Sequence, residues 1–121
     1  MDAMIGLGSA QFELGRYDAA LPPLQTVLRR LTPLAGQEPA ELPGVRAKVA
    51  WSLYYLGRYR EALALFEQGI QATPEWHGLY NGVGWCYLKL GDRARARSAF
   101  ERALALKPDY DDALEGLRQA G

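Results

Sequence analysis

The chain has 121 residues, of which 49% are apolar and 23% charged, the balance of about one folded domain rather than a disordered tail. Fourteen Lys and Arg are balanced by fourteen Asp and Glu, so a nucleic-acid binder's electrostatic footprint is absent and no nucleic-acid partner is expected. No apolar run approaches the roughly 20 residues of a membrane-spanning helix, so direct membrane insertion is not expected either.

The cysteine content and the first residues of the chain bear on its cellular compartment. Cys86 is the one cysteine of the chain, so an internal disulfide is excluded and a reducing compartment is mildly favoured. The first residues, Met-Asp-Ala-Met, lack the basic and apolar regions of a signal peptide. If the chain is complete, we therefore expect a cytoplasmic location.

The first third of the chain predicts two helices separated by a glycine. Apolar residues recur at helical spacing over Met1–Leu14, and Gly15 interrupts the pattern as expected at a turn between helices. A second helix is predicted from about Tyr17 to Leu31. Pro22 and Pro23 lie within it, and because proline has no N–H we expect a late start or a kink there.

A breaker-rich segment separates these helices from the next pair. Residues Pro33–Pro43 contain three prolines and a glycine, too many for a continuous helix. The third helix is predicted over Val45–Leu56, with Val49, Ala50 and Leu53 facing a neighbour. The fourth is predicted over Tyr59–Ala72.

Three more helices follow towards the carboxyl end. Thr73-Pro74-Glu75 combines a capping residue, a proline and an acidic residue, which predicts a helix from about Pro74 to Leu90. Asp92 is expected to open a sixth helix that ends near Leu106. Pro108-Asp109 is expected to begin a seventh helix that ends near Ala120 and has a polar outer face, as a stacked array needs at its end.

A short motif recurs at the end of the first, third and fifth predicted helices. Leu-Gly-Arg-Tyr at Leu14–Tyr17 is repeated at Leu56–Tyr59, and Leu-Gly-Asp-Arg follows at Leu90–Arg93. The glycines are 42 and 34 residues apart. Recurrence at such a period predicts a helical repeat protein whose first interval carries an insertion of about eight residues.

Aligned on these glycines, the chain resembles the tetratricopeptide repeat family, whose pattern is W-x2-L-G-x2-Y, then A-x3-F, then P over 34 residues. The third unit carries the pattern as Tyr80, Val83, Gly84, Tyr87, Gly91, Ala96, Phe100, Ala103 and Pro108. The second carries Arg46, Val49, Ala50, Leu53, Gly57, Tyr59, Ala62, Phe66 and Pro74. The first carries Met4, Leu7, Gly8, Gln11, Gly15, Tyr17, Ala20 and Leu24.

The resemblance implies an all-α fold, a right-handed superhelix of three helix-turn-helix hairpins followed by a terminal solvating helix. Over a single domain of residues 1–121 it places the first repeat at about 1–34, the insertion at about 35–42, the second repeat at about 43–76 and the third at about 77–110. The capping helix then covers about 109–120, where Ala113, Leu114 and Leu117 are expected to face the last pair.

Residue types suited to catalysis are scarce. His77 is the one histidine, so nucleophile, base and orienter cannot be assembled around it with Cys86. One cysteine and one histidine are too few ligands for a zinc site, which needs about four. We expect no enzyme activity, metal or cofactor. The basic residues Arg93, Arg95, Arg97 and Arg102 are interpreted as a solvated face, with an anionic partner site as the alternative.

The resemblance also implies that the first helix of each hairpin lines a concave groove. The predicted partner-binding residues in this groove are Phe12, Trp51, Tyr54, Tyr55, Asn81, Trp85, Leu88 and Lys89. Trp51 and Trp85 occupy the same position of adjacent repeats, so we expect them side by side. The aromatic side chains suit a contact surface, and the Asn81 amide suits a peptide backbone. The alternative is that the rings fill the inner curve as core.

These patterns favour a non-catalytic module that binds a segment of another protein along the groove. Two other hypotheses remain. One is self-assembly, in which the open end of the first hairpin or the aromatic groove docks on another copy of the chain, and the other is a role as one arm of a larger protein. The clamp of Lys, Asn and Arg by which some family members grip a carboxyl terminus is not expected. At the corresponding positions stand Ile5, Ser9, Lys48, Gly78 and Gly82, of which only Lys48 carries charge.

Overall fold

A computed structural model describes residues 2–31 and 40–121, apart from the side chains of residues 2–4. Every regular element in these two ranges is an α-helix, which confirms the all-α class and the helix-turn-helix organisation. The seven helices are α1 (Asp2–Glu13), α2 (Tyr17–Leu31), α3 (Leu42–Tyr55), α4 (Tyr59–Ala72), α5 (His77–Leu90), α6 (Arg93–Leu106) and α7 (Asp111–Ala120). No helix in the described ranges is both long and apolar enough to cross a membrane.

Several boundaries agree with the local chemistry of the sequence. Both α2 and α4 occupy the predicted ranges. Asp92 caps α6, since its carboxylate accepts a hydrogen bond from the Arg95 backbone N–H at 3.0 Å. Gly15, Gly57 and Gly91 all have positive φ, between 75° and 86°, which is the left-handed conformation that ends a helix at low cost only for glycine.

The predicted starts of α5 and α7 are wrong by about three residues, for the same reason. Thr73-Pro74 does not open α5, because the Trp76 N–H donates to the Thr73 carbonyl at 3.3 Å and closes a turn before His77. Pro108 does not open α7 either, because the Tyr110 N–H donates to the Lys107 carbonyl at 3.2 Å. In both places proline occupies the second position of a tight turn, where its fixed φ is equally favourable.

The prediction of a late start at Pro22 and Pro23 is also wrong, because α2 begins at Tyr17 and continues through both prolines. Proline supplies no N–H, so the helix loses two backbone bonds there. Complete burial of Leu24 and Val27 in the following turn compensates for that loss. In addition, the Thr26 hydroxyl donates to the Pro22 carbonyl at 3.0 Å.

The third helix begins three residues before its predicted start. Pro43 lies in the first turn of α3, where a missing N–H breaks no helical bond. Most of the predicted insertion, about 35–42, lies outside the described residues, and Leu42 belongs to α3 itself.

The chain forms two compact units, Met1–Arg58 and Tyr59–Gly121. In the first unit α2 packs against α1 and α3, and α3 also contacts α1. Gly8 permits the close approach of α1 to α2, since an added Cβ would lie 2.5 Å from the Leu24 Cγ atom. Leu7, which precedes Gly8 in the repeat pattern, is 56% exposed, whereas Val49 and Val83 at the same pattern position are buried.

In the second unit α5 packs against α4 and α6, and α7 packs against α6 and α5. The core contains the fully buried rings of Phe66 and Phe100. On α7, Ala113 is buried as predicted, whereas Leu114 is 45% exposed. The second inward position of α7 is instead taken by Gly116, which lies against the Phe100 ring.

Candidate partner-binding site

Three aromatic residues of α3 form the centre of the predicted site in the first unit. The Trp51 ring lies 5.4 Å from that of Tyr54, edge to face, and 5.9 Å from that of Tyr55 in a stacked arrangement. Tyr54 is 8% exposed and Tyr55 54% exposed, and Trp51 is half-buried. Tyr54 therefore contributes to the core, while Tyr55 and one side of Trp51 are accessible.

The rings continue onto the other two helices of this unit. Tyr55 stacks on Tyr17 of α2 with centroids 4.4 Å apart, and Tyr17 meets Phe12 of α1 edge to face at 5.4 Å. Together Phe12, Tyr17, Trp51, Tyr54 and Tyr55 form what we call the aromatic cluster. Aromatic pairs at these distances hold one another in fixed orientations.

Tyr17 is the member of the aromatic cluster that sequence reasoning missed. Tyr17 belongs to the recurring Leu-Gly-Arg-Tyr motif, so the sequence analysis explains it by the repeat alone. The structure shows a further contact, its stack on Tyr55. The signal that was available is that Phe12 and Tyr17 lie on either side of the Gly15 turn, within one hairpin.

In the second unit, the predicted site residue Asn81 is completely buried. Its Nδ2 donates to the Asp112 carboxylate at 2.7 Å and to the Tyr110 hydroxyl at 3.3 Å. The amide oxygen Oδ1 is buried and has no hydrogen-bond partner among the described residues. The side-chain amide of Asn81 is thus held by α7 in this structure rather than presented to solvent.

Trp85 is anchored to the same carboxylate. Its indole Nε1 donates to Asp112 Oδ2 at 3.1 Å, and its ring meets Phe100 edge to face at 5.4 Å. A single oxygen of Asp112 therefore accepts hydrogen bonds from two side chains of α5. The second bond fixes the plane of an indole that is only half-buried.

An open pocket of about 200 Å³ lies beside this indole. It is lined by Trp85, Leu88, Lys89, Arg93 and Gln119, so it unites three predicted site residues with two that were not predicted. The sequence predicts a solvated basic face for Arg93, whereas the structure places its side chain at this pocket. Two apolar side chains beside two cations suit a ligand that carries an apolar group next to an acidic one.

The remaining candidate residues show no sign of catalytic activation. Burial, with a smaller contribution from the charge of Glu67, raises the pKa of the Cys86 thiol to about 12, so it is a protonated core residue near neutral pH. His77 is half-buried and meets the Tyr110 ring edge to face at 4.8 Å. Within the described ranges, no group of three His, Cys, Asp or Glu could hold a metal ion.

The predicted pairing of Trp51 with Trp85 stays a prediction, because the two residues lie in different units and each unit is described by itself.

The chain belongs to the tetratricopeptide repeat family, whose model matches residues 1–36, 49–111 and 82–120. Solved domains of this family share the fold. The Arabidopsis OM64 TPR domain superposes with a TM-score of 0.84 at 16% identity and covers 98% of this chain and 92% of its own. The second TPR domain of human RPAP3, solved with an HSP70 peptide, gives 0.81 at 20% identity and covers 97% and 91%.

Two curated relatives share local sequence with the chain. The Hsp70-Hsp90 organizing protein of Triticum aestivum is 38% identical over 69 residues, which are 57% of this chain and 12% of that protein. The CTR9 homolog of Arabidopsis thaliana is 31% identical over 114 residues, which are 93% of this chain and 10% of that protein. The chain therefore spans about a tenth of the length of these relatives.

Proposed function

We propose that the chain is a protein-interaction module that binds a segment of another protein through the aromatic cluster, without catalysing a reaction. The observation that carries this proposal is the exposure of Tyr55, at 54%, at the centre of a set of rings that fix one another. A tyrosine needed only for the core would be buried, as Tyr54 is.

The geometry of the aromatic cluster suits a contact surface. Tyr55 is held between Tyr17 and Trp51 by two stacked contacts, so its ring is already ordered before a partner arrives. A pre-ordered aromatic side chain loses little conformational entropy on binding, and such rings supply much of the binding energy in protein interfaces.

Relatives give the proposal a precedent. A TPR domain of human RPAP3 was solved in complex with an HSP70 peptide, and PcrH was solved with the chaperone-binding region of PopD. Both share the fold of this chain. In the second unit, taken by itself, the pocket at Trp85, Leu88, Lys89, Arg93 and Gln119 is proposed as a separate contact for an acidic side chain or carboxyl terminus of a partner protein.

The test begins with a displayed library of linear peptides, selected against the whole chain. Affinities of a selected peptide are then measured by fluorescence anisotropy for the wild type, for Tyr55→Ala combined with Trp51→Ala, and for Leu114→Ala. Leu114 is a matched control because it is a similarly exposed apolar side chain on α7, at 45%. Loss of a binding hot spot weakens affinity by roughly thirtyfold or more.

We expect that loss in the aromatic double variant and an unchanged affinity in the control, with helical circular dichroism retained in both. A selected peptide that binds the double variant as tightly as the wild type would contradict the proposal. Unfolding of the double variant would show that these rings are needed for the core. The affinity of the peptide for Tyr55→Ala alone would then test the proposal, because that side chain is exposed. A dimer lost in the same variant would favour self-assembly.

A further inference from the structure

The Trp85 indole offers a ligand in the neighbouring pocket its ring and not its N–H. The indole Nε1 is the one hydrogen-bond donor of this side chain, and it already donates to Asp112 Oδ2 at 3.1 Å. The ring also meets the Phe100 ring edge to face, with centroids 5.4 Å apart, and it is half-buried. A ligand group beside Trp85 therefore meets an apolar aromatic surface, which another flat ring matches better than an aliphatic group does.

Asp112 of α7 sets the orientation of this indole. The oxygen that accepts from Trp85 also accepts from Nδ2 of Asn81 at 2.7 Å, and Asn81 is completely buried. The same amide nitrogen donates to the Tyr110 hydroxyl at 3.3 Å. Because the carboxylate cannot follow a moving indole without giving up a buried partner, the ring is held in one orientation before a ligand arrives.

Two cations border the pocket, Lys89 in the last turn of α5 and Arg93 at the start of α6. Neither forms an ion pair with a residue that the structure describes. Acidic side chains of the neighbouring segments have other partners, namely Arg95 for Asp92, Arg118 for Glu115, and Asn81 with Trp85 for Asp112. The positive charge of the pocket is thus available to an anionic group.

The spacing of these groups requires a ligand whose ring and acid adjoin each other. Trp85 and Lys89 stand at i and i+4 of α5, so they lie on one face of the helix, about 6 Å apart along its axis. The pocket volume is about 200 Å³, below the roughly 300–1,000 Å³ of sites for drug-sized ligands. It therefore has room for one or two side chains and not for an extended ligand.

We propose that this pocket binds an aromatic residue that directly adjoins an acidic residue in a segment of a partner protein. The aromatic ring packs on Trp85 and Leu88, and the carboxylate pairs with Lys89 and Arg93. Asp112 is a positioning residue, because it acts on the ligand through the indole. The acidic half of this contact rests on the function proposed above, and the aromatic half is new.

Four short peptides with both ends blocked provide the test. The first is acetyl-Gly-Phe-Glu-Gly-amide. The second carries cyclohexylalanine in place of phenylalanine, a ring of similar size that is not aromatic, and the third carries glutamine in place of glutamate. The fourth separates phenylalanine from glutamate by two glycines. Each peptide is titrated into the whole chain and followed by ¹⁵N amide and indole shifts, which measure weak binding residue by residue.

We expect the first peptide to shift the signals of Trp85, Leu88 and Gln119. The cyclohexylalanine peptide is expected to bind roughly two- to tenfold more weakly, the range of one aromatic pair. The glutamine peptide is expected to bind roughly three- to tenfold more weakly, the effect of two exposed ion pairs. The separated peptide cannot engage both halves of the pocket, so it is expected to bind no better than these two.

Charge variants identify the acidic half of the pocket. Lys89→Ala combined with Arg93→Ala is expected to reduce the affinity of the first peptide to that of the glutamine peptide. Arg60→Ala combined with Arg102→Ala is the matched control, because it removes the same charge from two exposed side chains that do not line the pocket. The control is expected to bind the first peptide as the wild type does.

Two variants that both remove the charge of Asp112 test its positioning role. Asp112→Asn keeps an oxygen that can accept from the Trp85 indole, whereas Asp112→Ala removes it. The preference for phenylalanine over cyclohexylalanine is expected to persist in Asp112→Asn and to disappear in Asp112→Ala. A loosened α7 would by itself weaken both peptides equally, so an unchanged preference in Asp112→Ala would overturn the positioning role.

Equal affinities for the phenylalanine and cyclohexylalanine peptides, or for the adjoining and separated peptides, would overturn the aromatic requirement. The acidic contact would still stand if the double variant of Lys89 and Arg93 weakened binding. If that variant bound every peptide as the wild type does, the acidic contact of the proposed function would fail as well. Shifts at Tyr17 and Tyr55 without shifts at Trp85 would place the peptide on the aromatic cluster and overturn the assignment to this pocket.

Discussion

At the scale of single residues, glycines set how closely the helices approach. The clearest case is Gly82, because the ring of Phe66 occupies the space that any larger side chain would need. Both residues are completely or largely buried in the second unit. An ordinary helix gains from replacement of glycine by alanine, but here the added methyl group meets a ring that cannot move away without disturbing its own core.

We therefore predict opposite effects for the same substitution at two helical glycines, Gly82 of α5 and Gly6 of α1. Gly82→Ala lowers the free energy of unfolding by about 1–3 kcal/mol, because overpacking forces the Phe66 ring or the helix to shift. Gly6→Ala raises it by up to about 1 kcal/mol, because an added methyl group meets no atom of the described residues within 4 Å and the helix gains propensity. Urea unfolding followed by circular dichroism measures both. Equal shifts in the same direction would show that Gly82 is not a packing position.

At the scale of elements, α7 is attached by a polar contact as well as by packing. Asp112 accepts hydrogen bonds from Asn81 and from Trp85, at 2.7 and 3.1 Å. Asn81 is completely buried, and a buried amide that loses its partner retains the full cost of its desolvation. The carboxylate of Asp112 therefore contributes more to the stability of α7 than an exposed side chain usually does.

Asp112→Ala is predicted to loosen α7 while α4, α5 and α6 stay folded. The expected result is faster amide hydrogen exchange over Asp111–Ala120 and a changed Trp85 emission. The expected loss is about 1–3 kcal/mol, because one buried N–H of Asn81 loses its acceptor and only the weaker bond to Tyr110 remains. Asp111→Ala is the control, since Asp111 is the exposed neighbour in the same turn. If both variants exchange alike, the contact with Asn81 does not hold the helix.

Helix boundaries that are set by local interactions were predicted from the sequence, and those that depend on tertiary contacts were not. The starts of α2, α4 and α6 are decided by the preceding glycine turns and, for α6, by the Asp92 cap, which are local, and they were predicted. The start of α5 was not, because Thr73-Pro74 serves equally well in a cap and in a turn. The late start at Pro22 was wrong, because burial of Leu24 and Val27, a tertiary effect, outweighs the lost backbone bonds, whereas the alternative of a kink stays a prediction.

The site was predicted less completely than the fold. Helical spacing brings Trp51, Tyr54 and Tyr55 together on one helix, but it cannot indicate that Tyr54 is buried while Tyr55 is exposed. Nor does it show that Asn81 is engaged by Asp112, thirty-one residues further along the chain. Such contacts depend on how α7 packs, which no local pattern in the sequence encodes.

At the scale of the whole molecule, the distribution of charge determines which residues an acidic peptide would contact. The positions that correspond to the family's carboxylate clamp are mostly uncharged, and Lys48 is engaged there by a hydrogen bond from its Nζ to the Ser9 hydroxyl at 2.7 Å. Lys89 and Arg93 instead place two cations beside Trp85 and Leu88 in the pocket of the second unit. The two cations that this pocket offers to an acidic tail, Lys89 and Arg93, do not stand at clamp positions of the family.

The peptide SGPTIEEVD, with which the RPAP3 domain was solved, tests this distribution directly. We predict weak binding at low salt that Lys48→Ala leaves unchanged and that Lys89→Ala combined with Arg93→Ala weakens by roughly three- to tenfold, the effect expected from two exposed ion pairs. Because exposed charges are screened, the difference should vanish as salt is raised. Anisotropy titrations at two salt concentrations provide the measurement, with the RPAP3 domain as the positive control. Loss of binding in Lys48→Ala would instead place the acidic tail at the clamp positions of the family.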